Sequence, residues 1–199
     1  MKLIFIMMLS YLAGSVNFSI LLFRFLGKGD PRKSYSGNAG VTNVYRLAGP
    51  VWAAAVLLLD IGRAVAVALI ATWILSPVQV PWAGLALVAG NTYPCFHRFR
   101  GGKGVANYLG FTAVVTPAGA VVSAIAWVLV YLVKRLPFVA SFAMIAVLAL
   151  GTIAACDYSA VAAVGSIVTA LFIVFNHRKN IMEMMERAKK EEPPDRDEG

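Results

Sequence analysis

Charge is scarce in this chain. Of its 199 residues only 14% are Asp, Glu, Lys or Arg, against about a quarter in an ordinary soluble domain. Cysteine is nearly absent: Cys95 and Cys156 stand alone, with no CxxC spacing and no histidine cluster, so neither a disulfide framework nor a zinc site is indicated. No pair of neighbouring carboxylates stands ready to hold a metal, and neither metal nor cofactor is expected. No A-x-A cleavage signal follows the apolar run that opens after Lys2, which reads as a retained span rather than a secretory signal. No internal repeat is visible, which argues against an inverted-repeat transporter.

What the chain has is apolar length. Apolar residues make up 59% of it, mean hydropathy is +0.73, and the charges lie in short patches between long apolar runs. That is the composition of an all-α, polytopic integral membrane bundle. One membrane domain is expected over residues 1–185, and a charged tail over 186–199, with Pro193-Pro194 and no apolar periodicity, is expected to be disordered. The net charge of +8 does not point to nucleic acid, because the basic residues are dispersed between spans instead of forming one basic element.

Residues 3–23 carry no charge and are long enough for a hydrocarbon core that needs about 20 helical residues. A polar, basic segment runs from Arg24 to Arg46. A second span covers about 47–75 and contains Asp60 and Arg63; a third apolar piece, 82–96, ends in the basic cluster His97 to Lys103. Read as one span, 104–133 would leave Lys134, Arg135 and the basic group at 177–179 outside. Splitting it at Thr116-Pro117-Ala118-Gly119 removes both conflicts. With spans at 136–156 and 158–175, this gives seven spans, the N-terminus outside and the C-terminus cytoplasmic. All of the 18 Lys and Arg residues except Lys2 and Arg63 then face the cytoplasm, as the positive-inside rule requires. The pieces 82–96 and 104–116 are short for full spans, and five spans is the alternative.

Three polar segments share that face. The first, Ser34 to Arg46, combines Ser36, Gly37, Asn38, Gly40, Thr42 and Asn43. Such a stretch makes a hydrogen-bonding loop whose backbone N–H groups converge on an anion, and Arg46 can clamp a phosphate. The second, Arg98-Phe99-Arg100-Gly101-Gly102-Lys103-Gly104, sets three cations among three glycines. It is not a Walker A loop, since Gly104 follows the lysine where Ser or Thr is required. The third, Asn176-His177-Arg178-Lys179-Asn180, puts His177 and Asn180 three residues apart, on one face of a continuing helix. Asp60 and Arg63, within a span and also three apart, read as a structural ion pair.

Together these segments resemble the acyl-phosphate:glycerol-3-phosphate acyltransferase family of bacteria. Its Ser-Gly-Asn-Ala-Gly-(Ala)-Thr-Asn loop before an Arg is similar to Ser36 to Asn43 with Arg46. Its Phe-Pro-x-Phe-x-x-Phe-(Lys/Arg)-Gly-Gly-Lys-Gly-Val-Ala stretch is similar to Tyr93 to Ala106, and its Asn-His-Arg-x-Asn-Ile segment to Asn176 to Ile181. An opening Gly-Ser is matched by Gly14-Ser15. The chain departs from the pattern at Asn91, where the family usually has His, at Asn107 in place of Thr, and at Arg63, where an Asp-x-x-Lys-Gly element has Lys. No clear Gly-x-Glu element follows Ile181.

The resemblance implies acylation of the glycerol 3-phosphate 1-hydroxyl by an acyl phosphate, giving lysophosphatidic acid and inorganic phosphate at the cytoplasmic face of the bacterial inner membrane. Arg46 and Lys103 would neutralise phosphate, Gly101, Gly102 and Gly104 would shape the cradle, and Ser36 would work at the reacting centre. His177 and Asn180 would orient the glycerol phosphate, with Gly37, Asn38, Gly40, Thr42, Asn43 and Asn176 lining the substrates. A direct displacement is expected, with the donor's own phosphate as the favoured proton acceptor and His177 the competing one. The His-x4-Asp pair of the other acyltransferase class is absent, because Gly102 and Met182 stand at that spacing after His97 and His177. An anion channel or transporter is the alternative. A CDP-alcohol phosphotransferase lacks its run of aspartates here.

Overall fold

A computed structural model describes residues 1–191, and every regular element in them is helical. The opening apolar run is not one helix. It divides into α1 (Lys2–Ser15) and α2 (Phe18–Phe25), because Asn17 leaves the helical conformation and its side chain accepts from Ile20 N–H, capping α2. A 3-10 turn at Pro31–Lys33 leads to α3 (Val41–Ala48), so the second half of the first polar segment is helix rather than loop. Gly49, at φ +87°, then separates α3 from α4 (Pro50–Ile74) within the stretch expected to be one span.

The remaining elements are α5 (Val80–Thr92), a 3-10 turn at Cys95–His97, α6 (Val105–Val115), α7 (Pro117–Lys134), α8 (Pro137–Ala155), α9 (Ala160–Asn176) and α10 (Arg178–Glu191). Prolines open α4, α7 and α8, where a missing N–H costs nothing. The stretch 104–133 does divide at Thr116, though Pro117 starts a helix instead of sitting in a turn. The charged tail expected to be disordered from Glu186 is helical through Glu191, and 192–199 lie outside the described residues.

Four segments are long and apolar enough to cross a membrane: Lys2–Phe25 across its break, Pro50–Ile74, Pro117–Lys134 and Pro137–Ala155. A fifth is added if α9 and α10, bent by 49° at His177, are taken together. With 13 and 11 residues, α5 and α6 reach about 20 and about 17 Å, well short of the ~30 Å core. They pack inside the bundle, α5 against α1 and α9, α6 against α4.

Small residues let these helices approach. A Cβ on Gly14 would run into the Leu87 carbonyl, and one on Gly90 into the Tyr11 carbonyl, so α1 and α5 touch backbone to backbone. Ala64, Ala68 and Ala71 of α4 face Ala83, Leu87 and Phe111 across a second contact, while Leu58, Leu59, Leu69, Ile70 and Trp73 point outward. Large apolar groups outside and alanines inside is the distribution that lipid permits. Buried hydroxyls of Ser10, Thr112, Thr152 and Thr169 donate to carbonyls one turn back, at 2.7–2.8 Å.

Candidate functional site

Three chain segments are tied together by hydrogen bonds at the end of the bundle where α5 stops, α6 starts and α9 stops. Ala39 N–H donates to Gly101 O at 3.1 Å, joining the first polar loop to the second. Asn17, in the break between α1 and α2, donates to Ala39 O at 3.2 Å. Lys103 Nζ donates to Asn180 Oδ1 of α10. Asn176 donates to Thr92 Oγ1 at 3.1 Å and to Lys103 O at 3.4 Å, pinning the lysine's own backbone.

The second loop is fixed by packing as much as by bonding. Gly101 and Gly102 N–H donate to the carbonyls of Thr92 and Asn91, both at 3.0 Å. A Cβ on Gly101 would collide with Asn91 O and come within 2.8 Å of Pro94 Cδ; one on Gly102 would lie 3.0 Å from Ala39 O. The glycines are needed because two loops and a helix end meet there. Both loops also finish at a helix start: Gly40 caps α3 and Gly104 caps α6, and neither has a side chain to satisfy the first-turn N–H groups. Uncapped helix starts of this kind attract anions.

Lys103 lies beside the α6 start, and Arg46 stands in the last turn of α3. Burial pulls the Lys103 ammonium down to about 8, with Glu183 opposing and the charge of Arg46 adding to the shift. Arg46 is exposed on α3, its guanidinium 6.0 Å from the Tyr35 ring centre. Thr42 is exposed in the first turn of the same helix, and Ser36 is half-buried in the loop before it. Ser36 O accepts from Asn38 Nδ2 at 2.9 Å in a turn closed by Gly37 N–H donating to Ser34 O.

His177 is buried at the end of α9, its Nδ1 2.8 Å from Ile173 O and its ring edge-on to Phe142. Burial, then the charge of Lys103, holds the imidazole down at about 4. A neutral ring donating through Nδ1 keeps Nε2 as an acceptor but makes a weak base. Before Glu183 the carboxylates are Asp30, paired with Arg32 at 2.6 Å, Asp60, paired with Arg63 at 2.9 Å, and Asp157 in the turn at the other end of α9. The end of the bundle that holds the loops is rich in cations and poor in bases.

Some residues expected to contact substrate also hydrogen-bond within the protein. Asn43 is buried and donates to Pro31 O at 2.7 Å and Ser34 O at 3.3 Å, so its amide holds its own loop. Asn176 and Asn180 are engaged with Lys103 as described. Asn43 and Asn176 each keep a buried Oδ1 with no partner among the described residues.

Other residues escaped the sequence reading. Arg32 Nη1 donates to His97 O and Arg100 O, both at 2.7 Å, while Asp30 holds the rest of the guanidinium. Arg98 and Phe99, at φ 58° and 55°, turn the chain so that both carbonyls face that one donor. Asp30-Pro31 signals only a turn in sequence, and nothing there discloses a partner 65 residues away. Ser15 of the Gly-Ser pair accepts from Cys95 N–H at 3.3 Å, so that motif is a docking point.

The comparison with known families decides what this arrangement belongs to: the model described as glycerol-3-phosphate acyltransferase matches residues 4–187. The chain belongs to the glycerol-3-phosphate acyltransferase family. Curated glycerol-3-phosphate acyltransferases include one from Pseudomonas paraeruginosa (strain DSM 24068 / PA7), 38% identical over 88% of this chain and 92% of its own. Another, from Pseudomonas syringae pv. tomato, is 40% identical over 88% and 91%. The crystal structure of PlsY, an integral membrane glycerol 3-phosphate acyltransferase, in its glycerol 3-phosphate form superposes with a TM-score of 0.86. It is 32% identical and covers 94% of this chain and 93% of its own. The lysophosphatidic acid form of PlsY gives 0.83. This acyltransferase is therefore a membrane enzyme of phospholipid synthesis.

Two results are expected of the acyltransferase site. Arg32→Met should lower kcat/KM about tenfold with little change in expression, because both loops survive but lose their bridge; steady-state kinetics would check it. Lys103 is cationic below about 8 and neutral above. If its charge holds a phosphate, kcat/KM, which reports the free enzyme, should fall as pH rises through that value. Lys103→Arg, whose charge persists, should lack that alkaline limb in whatever activity it retains.

Proposed function

We propose that the acyl donor is an acyl phosphate and that the acyl group passes directly to the 1-hydroxyl of glycerol 3-phosphate. The observation that carries this reading is the gathering of Lys103, Arg46 and two uncapped helix starts, where Glu183 is the one carboxylate among the described residues whose charge reaches Lys103. Such a site suits two phosphorylated substrates and a leaving group that needs no strong acid. The hydroxyl oxygen bonds to the acyl carbon, the bond from that carbon to the phosphate oxygen breaks, and inorganic phosphate departs with the hydroxyl proton. Lys103 and Arg46 neutralise the phosphates, the Gly101–Gly104 turn and the α3 start cradle them, and Ser36 lies at the reacting centre. Asn180 acts by holding Lys103, and neutral His177 accepts a hydrogen bond from glycerol 3-phosphate. The product matches the ligand named for one PlsY crystal form.

The test is purified enzyme in detergent with palmitoyl phosphate and glycerol 3-phosphate, without metal or coenzyme A. Lysophosphatidic acid and inorganic phosphate should appear in equal amounts, and palmitoyl-coenzyme A should not replace the donor. Turnover with the coenzyme A ester alone would overturn the reading.

The same reading places the enzyme in the bacterial inner membrane with the site facing the cytoplasm, the N-terminus outside and seven apolar segments, α5 and α6 being partial ones. Dispersal of the basic residues supports it. Thiol labelling of single cysteines placed in the 98–100 loop and the 76–79 turn should give opposite sidedness.

A further inference from the structure

Arg63 lies in the middle of α4, and it does more than neutralise Asp60. Its Nη2 meets Asp60 Oδ1 at 2.9 Å, Asn107 Oδ1 at 2.5 Å and, more distantly, Asn91 Oδ1 at 3.5 Å. Its Nη1 donates to Val16 O, the carbonyl left open where α1 breaks from α2. The Phe18 ring covers the guanidinium at 5.1 Å.

The three acceptors beyond Asp60 each stand close to a substrate loop. Val16 precedes Asn17, which holds Ala39 O. Asn91 O accepts from Gly102 N–H, and a Cβ on Gly102 would lie 3.0 Å from Asn91 Nδ2. Asn107 is in the first turn of α6, directly after Lys103 and Gly104. Arg63, Asn91 and Asn107 are also the positions where this sequence replaces the Lys, His and Thr of the family pattern, and the structure brings all three into contact.

We propose that Arg63, Asn91 and Asn107 form one positioning unit, in which the guanidinium fixes the break in the first span and both glycine loops relative to one another. This rests on the reading that those loops hold the substrates' phosphates. A lysine would keep the ion pair with Asp60. Its single ammonium, with three donors at one point, does not spread over acceptors on α4, α5, α6 and the break. The Asn91 and Asn107 oxygens would then be buried without partners.

The test compares Arg63→Lys, Asn107→Thr and the triple variant Arg63→Lys/Asn91→His/Asn107→Thr by kcat, KM for each substrate and melting temperature. Glycerol 3-phosphate binding is measured by calorimetry with no acyl donor present. Arg63→Lys is expected to lose about tenfold or more in kcat/KM and a similar factor in donor-free binding. The triple variant should recover to within about threefold of the wild type, a non-additive result expected of groups in contact. Asn107→Thr, which leaves the ion pair alone, should lose about threefold, and this holds even if Arg63→Lys cannot be purified folded. Wild-type behaviour of Arg63→Lys, a triple variant no better than Arg63→Lys, or an unaffected Asn107→Thr would each overturn the proposal. Failure of acyl phosphate as donor would leave the binding result standing, so the two readings fail separately.

Discussion

Lys103→Ala is expected to lower kcat/KM by about 10²–10³-fold, the size of effect seen when one preorganised donor is taken from a developing charge. Lys103 is half-buried, which pulls it down to about 8 and leaves it cationic at neutral pH. A buried ammonium is costly unless an anion uses it. Asn180 supplies a neutral acceptor, which orients the group without cancelling its charge. Removing the side chain removes both the charge and the reason for α10 to hold that position. Asn180→Ala should therefore reproduce part of the loss, about tenfold, through misplacement of the same lysine. Lysophosphatidic acid formation by monodisperse variants, with glycerol 3-phosphate varied, checks both. Full activity of Lys103→Ala would remove the lysine from the mechanism.

Gly101→Ala is expected to abolish most activity while leaving the bundle assembled. The added methyl would strike Asn91 O and the Pro94 ring, and neither can swing aside as the end of a flexible side chain can. The turn has to shift, and overpacking of this kind costs about 1–3 kcal/mol locally. A shift breaks the pair of bonds through which Gly101 accepts from Ala39 N–H and donates to Thr92 O, so the two loops separate. Displacement of reacting groups by about 1 Å costs roughly 100-fold. The melting temperature should fall only a few degrees, since the contact lies at one end of the bundle. A variant with normal kinetics would show that the spacing of the loops does not matter.

Hydropathy located the apolar segments well, because lipid leaves helices few alternatives. Even the division near Thr116 was legible, since Pro117 cannot continue a preceding helix without cost. The break at Val16–Asn17 was not, as the run there carries neither charge nor proline. Its open carbonyl is satisfied by Arg63, 47 residues further along, a relation invisible to any local window. Helix α3 was hidden because Val41-Thr42-Asn43-Val44-Tyr45-Arg46 mixes polar and apolar residues over barely two turns. The candidate segments stood out through their glycines and cations, but sequence does not say which way an amide points. Asn43 and Asn176, expected at the substrates, each donate Nδ2 to a backbone carbonyl. Arg63 looked like half of an ion pair and proved to reach three further oxygens.

Helix α4 begins at Pro50, and Arg63 in its middle reaches Asn91 near the end of α5 and Asn107 at the start of α6. At 1.5 Å per residue that is about 20 Å along its axis. The glycine turn between the two short helices is thus held near the level of Arg63 and not near the start of α4. On the proposed reading, a lipid donor reacting at that level would need little lifting out of the bilayer, and each methylene left among the tails spares about 0.8 kcal/mol. The water-soluble partner would then make the descent instead.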